Sequence, residues 1–288
     1  MTLFVQHCAA RKPEALADGH WVRVLRSFLG AYNREEAASR SQLSYQGNYS
    51  GMAHDAAHIA ELEFALGYPL DRVRFFLHKS AEAMLRCVQL RGTLESPEIT
   101  TTLRPRPDGS VVEEIESAKM CVDVSMGTPM HAIPAVYSAW LARDPALGAE
   151  IARAVNFHDE DTEAYGKRGI ARQMAHVAWL RGHEQAASKY LIGADPADTR
   201  TRLLAGVLGC NQDRFDDALR SLLKSWERYE RKERRGLVPM FAEKGLKPPP
   251  YFYWSIECMG GALLGLKRGL ELRIDHAFIP REMLEGCY

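Results

Sequence analysis

The sequence predicts a mainly α-helical protein built from stacked, repeat-like antiparallel helix pairs, with one small β-hairpin near residues 98–116. Three observations lead to this prediction. Apolar residues recur at helical spacing along most of the chain, glycine-containing breaks separate paired helical stretches, and one segment combines β-branched residues with a turn sequence. We expect a single domain over residues 1–288, with a subdivision into residues 1–95, 96–116 and 117–288 as the alternative.

The composition is that of a globular protein and argues against several classes. Of 288 residues, 46% are apolar and 26% are charged, enough for a core without disulfide staples. Since 37 basic residues balance 37 acidic ones, we expect neither nucleic acid nor an acidic membrane as a direct partner. The six cysteines are scattered without a C-x-x-C pair, which favours reduced thiols. The amino terminus lacks the pattern of a secretion signal, so a cytoplasmic location is expected.

Three helices are predicted before the hairpin. The apolar residues on one face of the first are Trp21, Leu25, Phe28 and Leu29. The second helix is expected to begin after Asn33 and to end at Gly67, with a break around residues 47–51. Pro69 restarts the pattern, and the third helix is expected to run as far as Leu90.

The β-hairpin is predicted where the helical pattern stops. Residues 99–103 are mostly β-branched, residues 107–110 form a turn sequence, and residues 111–115 supply the second strand. Because an isolated hairpin is only marginally stable in water, we expect it to lie against the helices or to project as a contact arm.

Paired helices are predicted in the second half of the chain. Helical patterning returns after Pro129. Further along, a helix at residues 173–180 is followed by a break at Gly182 and a partner helix. The same order recurs with a helix at residues 203–208 and a break at Gly209. Such pairs stack in repeat proteins of the tetratricopeptide kind, and although the full repeat pattern is absent, repeat-like packing is expected.

The last two long helices differ in character. A helix from Phe215 to about Arg234 carries a dense run of mixed charges, predicted to be a solvated face, and Gly236 is expected to end it. A proline-rich loop at residues 244–250 follows, and an apolar helix is predicted over Tyr251–Leu266. The aromatic cluster at residues 251–254 is expected to pack in the core rather than to anchor a partner.

His54 and His58 are one helical turn apart, the spacing by which a helix offers two ligands to one metal ion. Because no third ligand is evident, we favour hydrogen-bonded helix histidines and predict no metal and no cofactor. A helical metal-dependent enzyme that uses this pair is the alternative. The sequence also lacks a phosphate-binding loop, a nucleophile elbow and a dinucleotide fingerprint, so no catalytic residues and no enzymatic activity are predicted.

A dense acidic segment follows Phe157 and His158. Its carboxylates are Asp159, Glu160, Asp161 and Glu163. The segment suits a hydrolase or metal site, the start of a helix whose dipole favours carboxylates, or an exposed surface that meets a basic partner. Because no catalytic partner for it is recognisable, the second and third interpretations are favoured.

Several motifs occur together in the carboxyl-terminal third. They are a helix start at Arg214–Leu219, a long charged helix, a proline-containing loop, an apolar helix and the closing segment Arg273–Leu284. This arrangement resembles the end of the immunity protein 49 family. Tyr253–Glu257 also resembles the terminal region of helical immunity proteins paired with polymorphic nuclease toxins, so two related families are candidates.

Both resemblances imply a cytoplasmic immunity protein, the antidote to a polymorphic toxin that a secretion system such as type VI delivers between bacteria. It would bind the toxin's catalytic domain, expected to be a nuclease, and occlude the active site. The acids that could then imitate phosphate towards a basic cleft are Asp159, Glu160, Asp161, Glu163, Glu113 and Glu114. A repeat-like scaffold for protein–protein interaction is a further alternative.

Overall fold

The chain is mainly helical in the computed structural model, which describes residues 19–39, 46–92, 95–105, 111–122, 126–242 and 254–288. The helices are α1 (His20–Ser39), α2 (Gln46–Leu66), α3 (Leu70–Leu90), α4 (Pro129–Leu141), α5 (Pro145–Ala154), α6 (Asp159–Leu180), α7 (Glu184–Ile192), α8 (Thr199–Leu208), α9 (Gln212–Ala242), α10 (Ile256–Lys267) and α11 (Arg281–Leu284). The predicted fold class is therefore confirmed.

Helix α2 packs between α1 and α3 at the amino-terminal end of the fold. Its alanines let the neighbouring backbones approach, and Ala56, Ile59 and Ala60 are completely buried. The predicted break at residues 47–51 is wrong, because α2 runs without interruption from Gln46. Packing on both sides offsets the cost of about 1 kcal/mol that a helical glycine carries.

The predicted hairpin consists of two antiparallel strands, β1 (Glu95–Pro105) and β2 (Val111–Val122). Pairing extends to Glu95 and Val122, beyond the predicted limits of 98 and 116, with an irregularity of register after Thr100. The two strands pack extensively with each other. The predicted turn at residues 107–110 lies outside the described residues.

The predicted helix pairs are present in the second half. Helix α6 packs against α7 and α8 against α9, while contacts between α7 and α8 join the two pairs. The break between α6 and α7 includes Gly182, whose φ of +78° suits glycine. Helix α10 then packs against α4 and α9, so the carboxyl-terminal helices close over the middle of the fold.

Two predicted boundaries of the last long helices need correction. Helix α9 continues through Gly236 to Ala242, because Gly236 keeps a helical conformation there. Helix α10 begins at Ile256, where the Ser255 hydroxyl accepts a hydrogen bond from the Cys258 N–H at 3.1 Å and caps the first turn. The predicted loop at residues 244–250 and the predicted helix start at residues 251–253 lie outside the described residues.

A single continuous cluster of buried side chains runs from α1 to α11. Cys87, Cys258 and Cys287 lie in it as free thiols, while Cys210 is a free thiol at the surface. Across the described ranges, none of the helices combines the length and the hydrophobicity needed to cross a membrane.

Candidate functional site

The acidic segment forms the start of α6. Asp159, Glu160 and Asp161 occupy its first turn, where the helix dipole and the free backbone N–H groups favour negative charge. The side chains of Asp159, Glu160 and Glu163 are exposed. The structure therefore agrees with the helix-dipole interpretation and leaves three carboxylates at the surface.

Asp161 differs from its three neighbours, because only 2% of its surface is exposed. Its carboxylate accepts two hydrogen bonds from Arg91, Nη1 to Oδ2 at 2.9 Å and Nη2 to Oδ1 at 2.7 Å. The backbone N–H of His158 donates a third, at 3.0 Å to Oδ2. Asp161 therefore fastens the start of α6 to the end of α3, and its expected role in contacting a partner needs correction.

The acidic segment lies beside the root of the hairpin. Gly92 comes shortly before β1, and a Cβ at that position would lie only 2.9 Å from the His158 ring. Thr128 follows β2, and its hydroxyl lies 3.2 Å from the Tyr165 hydroxyl of α6. The hairpin is thus attached where the three exposed carboxylates begin.

Glu113 and Glu114 lie towards the opposite end of the hairpin. They are paired with Leu103 and Thr102, close to the pair Pro105–Val111 at the far end of the described strands. At about 3.3 Å per residue, Glu113 is roughly 30 Å along the strand from Val122 at the root. The acidic segment of α6 and the pair Glu113 and Glu114, both predicted from the sequence, therefore lie at opposite ends of the hairpin.

His54 and His58 do lie side by side on α2, with ring centroids 4.4 Å apart. The His58 ring also stacks on Phe28, and its Nδ1 lies 3.8 Å from Glu61 Oε2. Burial, and secondarily the charge of His54, lowers the pKa of His58 to about 4. Among the described residues, no group of three or more His, Cys, Asp or Glu side chains could hold a metal ion.

A cavity of about 470 Å³ lies where α2, α4, α6, α8, α9 and α10 meet. Its wall is mostly apolar, formed by Ala57, Met130, Ile133, Pro134, Leu203, Leu204, Leu222, Trp226, Trp254, Ile256 and Leu264. The cavity is open to solvent at one side, because Met130 in its lining is 56% exposed. A mainly apolar concave site with a few polar groups is the usual form of a small-molecule site.

A pair of hydrogen-bonded side chains lies in the wall of this cavity. The Tyr137 hydroxyl of α4 contacts Nε2 of His176 from α6. Burial, followed by the charges of Arg172 and Arg200, lowers the pKa of His176 to about 3, and burial raises the pKa of Tyr137 well above its usual value. The Tyr137 ring fits against α10 only because position 260 is glycine, where a Cβ would lie 2.1 Å from the ring. Both side chains are therefore uncharged and firmly positioned at pH 7.

Charged side chains at the cavity are arranged in pairs. Arg200 donates to both carboxylate oxygens of Glu257, at 2.9 Å for Nη2, and Trp226 Nε1 donates to the same carboxylate at 3.0 Å. Arg172 Nη1 donates to Asp198 at 3.2 Å. Each guanidinium thus has a carboxylate partner, so the arginines present little uncompensated charge to the cavity.

Gln173 is the exception among the buried polar groups of the cavity. Only 2% of its surface is exposed, yet neither Oε1 nor Nε2 has a hydrogen-bond partner within the described structure. Leaving a buried polar group unpaired costs about 1–3 kcal/mol, and most buried amides avoid that cost. Gln173 belongs to the cavity wall, but its two amide atoms have almost no accessible surface.

The cavity could not be recognised from the sequence, although His58 in its lining was a candidate metal ligand. Its polar residues come from helices distant in sequence, as Tyr137 and Glu257 illustrate. One local signal was present in the sequence. Gln173 and His176 are three residues apart, so two polar side chains lie on one side of a helix whose apolar residues pack in the core. The bend of α6 at Gly166, with a φ of +68°, separates these two residues from the acidic segment.

No family model, curated protein or solved structure matches the chain.

Proposed function

We propose that this chain is a cytoplasmic immunity protein, which neutralises a cognate interbacterial toxin by binding its catalytic domain and covering the active site. The proposal rests on the resemblance of the carboxyl-terminal third to immunity protein families. The structural observation that supports it is the group of three exposed carboxylates, Asp159, Glu160 and Glu163, at the root of a two-stranded arm. We name this group the acidic face.

The acidic face suits a partner with a basic cleft, as a nuclease domain would have. Complementary charge accelerates the encounter of two proteins and orients them before the apolar contacts form. An inhibitory interface of ordinary size would bury about 1,600 Å², far more than three carboxylates, so neighbouring surface on the hairpin would have to contribute.

Rigidity of the acidic face also favours binding. The buried bond between Asp161 and Arg91 fixes the first turn of α6, so the backbone positions that carry the neighbouring exposed carboxylates are defined before any partner arrives. Pre-organised groups lose less conformational entropy on binding than mobile ones.

The decisive experiment is co-expression of the toxin encoded by the neighbouring gene with and without this chain. We expect survival only in its presence, and stable binding between the purified proteins. The variant Asp159→Lys/Glu160→Lys/Glu163→Lys should slow association at low salt by about tenfold or more. A matched control, Glu150→Lys/Asp213→Lys/Asp275→Lys, changes net charge equally at exposed positions outside the acidic face and should leave the rate much closer to that of the unaltered protein.

Two results would count against this function. Failure of the chain to protect cells or to bind the toxin would refute the immunity role itself. Equal slowing by both triple variants would show that only net charge matters and would remove the acidic face from the interface. Stoichiometric zinc bound through His54 and His58, together with turnover that their replacement abolishes, would instead favour the metal-dependent enzyme.

A further inference from the structure

We propose that the groove between α7, α8 and α9 binds a short, acidic, amphipathic helix of a partner protein. The apolar side chains of that helix fill the groove, and its carboxylates pair with Arg202 and Arg214. The groove shares no lining residue with the central cavity or with the acidic face of α6. The proposal does not depend on toxin neutralisation.

The groove is a mainly apolar concave surface with a volume of about 620 Å³. Ala194 and Ala218 lie buried in it, and the short side chains of these alanines leave room between the helices. Leu191 of α7 and Leu208 of α8 are only partly buried, so both can contact a partner. Helix α8 packs more closely against α9 than against α7, which leaves the groove open on the side of α7.

An exposed isoleucine lies at the edge of the groove. Ile192, the last residue of α7, is 86% exposed, the largest fraction among the large apolar side chains of the described residues. A single exposed apolar residue is common on protein surfaces. Ile192 differs because Leu191 and Leu208 continue its apolar surface into the groove. A partner that covers these three side chains removes apolar area from water, which favours binding.

The charges of the groove favour an acidic partner. Arg202 and Arg214 are exposed in its lining, and neither guanidinium has a carboxylate partner among the described residues. Asp217, the acidic residue of the lining, lies 3.3 Å from Arg220 and is already paired. Since the arginines of the central cavity each have a carboxylate, the two of the groove stand out as available for one from a partner.

The two arginines are spaced to meet carboxylates on one helix. A Cβ at Gly206 would lie 3.2 Å from the carbonyl carbon of Arg214, so Arg214 is level with a residue four positions after Arg202. The arginines are therefore about 6 Å apart along α8. Acidic residues four apart on a helix have the same spacing, and a helix that lays its apolar face in a groove is a common form of recognition.

Three synthetic peptides test this proposal on the full chain. The first is an alanine-based amphipathic helix with leucine at i, i+3, i+4 and i+7 and with glutamates four residues apart beside the leucines. The second has glutamine in place of every glutamate, and the third has serine in place of every leucine. Fluorescence anisotropy of the labelled peptides measures each dissociation constant.

We expect the glutamate–leucine peptide to bind about tenfold or more tightly than either other peptide. Arg202→Gln/Arg214→Gln should weaken it by about tenfold and leave the glutamine peptide unchanged, since only the first peptide uses the arginines. Arg26→Gln/Arg153→Gln, with the same change of net charge at exposed positions outside the groove, should leave both affinities close to those of the unaltered protein.

The apolar contact is tested separately. Ile192→Ser should weaken the glutamate–leucine peptide by about fivefold, because the partner then covers less apolar surface. Phe75→Ser, at an exposed apolar position of α3, should have no effect on binding. The melting temperature of each variant shows that it is folded.

Four results would overturn the proposal. Equal binding of the serine peptide would show that charge alone attracts the probe, and equal binding of the glutamine peptide would remove the arginines from the site. Equal weakening by both double arginine variants would leave only an effect of net charge. Dimerisation of the chain by sedimentation, lost in Ile192→Ser, would make a second copy the occupant. None of these results bears on toxin neutralisation, which is measured by survival.

Discussion

Two buried polar side chains of this fold, Asp161 at the hairpin root and Gln173 in the wall of the central cavity, differ in their hydrogen bonding. At the root of the hairpin, Arg91 and Asp161 are both almost completely buried, and the two guanidinium–carboxylate hydrogen bonds are joined by others from Arg91 to Asn156 O and from His158 N–H to Asp161. In the central cavity, Gln173 is equally buried and its amide has no partner among the described residues.

The difference indicates what each region does. A buried charge with all its hydrogen bonds made holds two elements in one arrangement, here the end of α3 and the start of α6. A buried amide with none of its bonds made contributes nothing of that kind and costs stability. The Arg91–Asp161 pair is therefore expected to stabilise the fold, while the unpaired amide of Gln173 is expected to cost stability.

The largest expected effect on stability comes from removing Arg91 from its buried pair with Asp161. Arg91→Met would leave the Asp161 carboxylate buried without its counter-charge, and we expect a loss of about 3–5 kcal/mol in the free energy of unfolding. Urea denaturation of the purified protein measures this loss. Arg26→Met, at an exposed position of α1, is the control and should change stability by less than about 0.5 kcal/mol. A loss of under about 1 kcal/mol for Arg91→Met would show that the pair does not hold the hairpin root together.

A smaller, pH-dependent effect on stability is expected from His176 in the wall of the cavity. The pKa of His176 is about 3 in the folded protein and about 6.5 in the unfolded chain, so between these two pH values only the unfolded chain takes up a proton at this residue. The stability that this histidine provides is complete above pH 6.5 and is lost as the pH falls towards 3. At pH 5 the loss is on the order of 2 kcal/mol.

The variant His176→Gln isolates that contribution, because glutamine does not titrate and can still accept a hydrogen bond from Tyr137. Between pH 7 and pH 5, its unfolding free energy should fall by about 2 kcal/mol less than that of the unaltered protein. His183→Gln, at an exposed position before α7, should behave like the unaltered protein. Identical pH profiles for His176→Gln and the unaltered protein would mean that His176 is as easily protonated as in water.

Much of the fold could be predicted from local patterns in the sequence. The apolar stripe of α3 and the break at Gly182 both lie where the spacing of residues put them, because helix periodicity and left-handed turns are properties of short segments. At residues 47–51 tertiary packing prevailed over a local preference, because α2 lies between α1 and α3. At Gly236 the helix continues through an exposed glycine.

The sites could be predicted less well, for a physical reason. Asp159 and Asp161 look alike in the sequence, and Arg91, the charged partner of the buried Asp161, is 70 residues away along the chain. The cavity depends on the convergence of helices from α2 to α10, so the spacing of Gln173 and His176 places them on one side of α6 but does not indicate what that side meets. Local spacing reports which residues share a helix face but not which faces meet.

The smallest expected effect is an increase in stability when the unpaired amide of Gln173 is removed. Gln173→Leu replaces the unpaired amide with an apolar side chain of similar size, which should raise the free energy of unfolding by about 1 kcal/mol. The exposed Gln185→Leu should have almost no effect. Urea denaturation again measures both. If Gln173→Leu instead destabilises the protein by 1 kcal/mol or so, the amide is already satisfied in the free protein. The cavity would then resemble the hairpin root, and the contrast between the two regions would not hold.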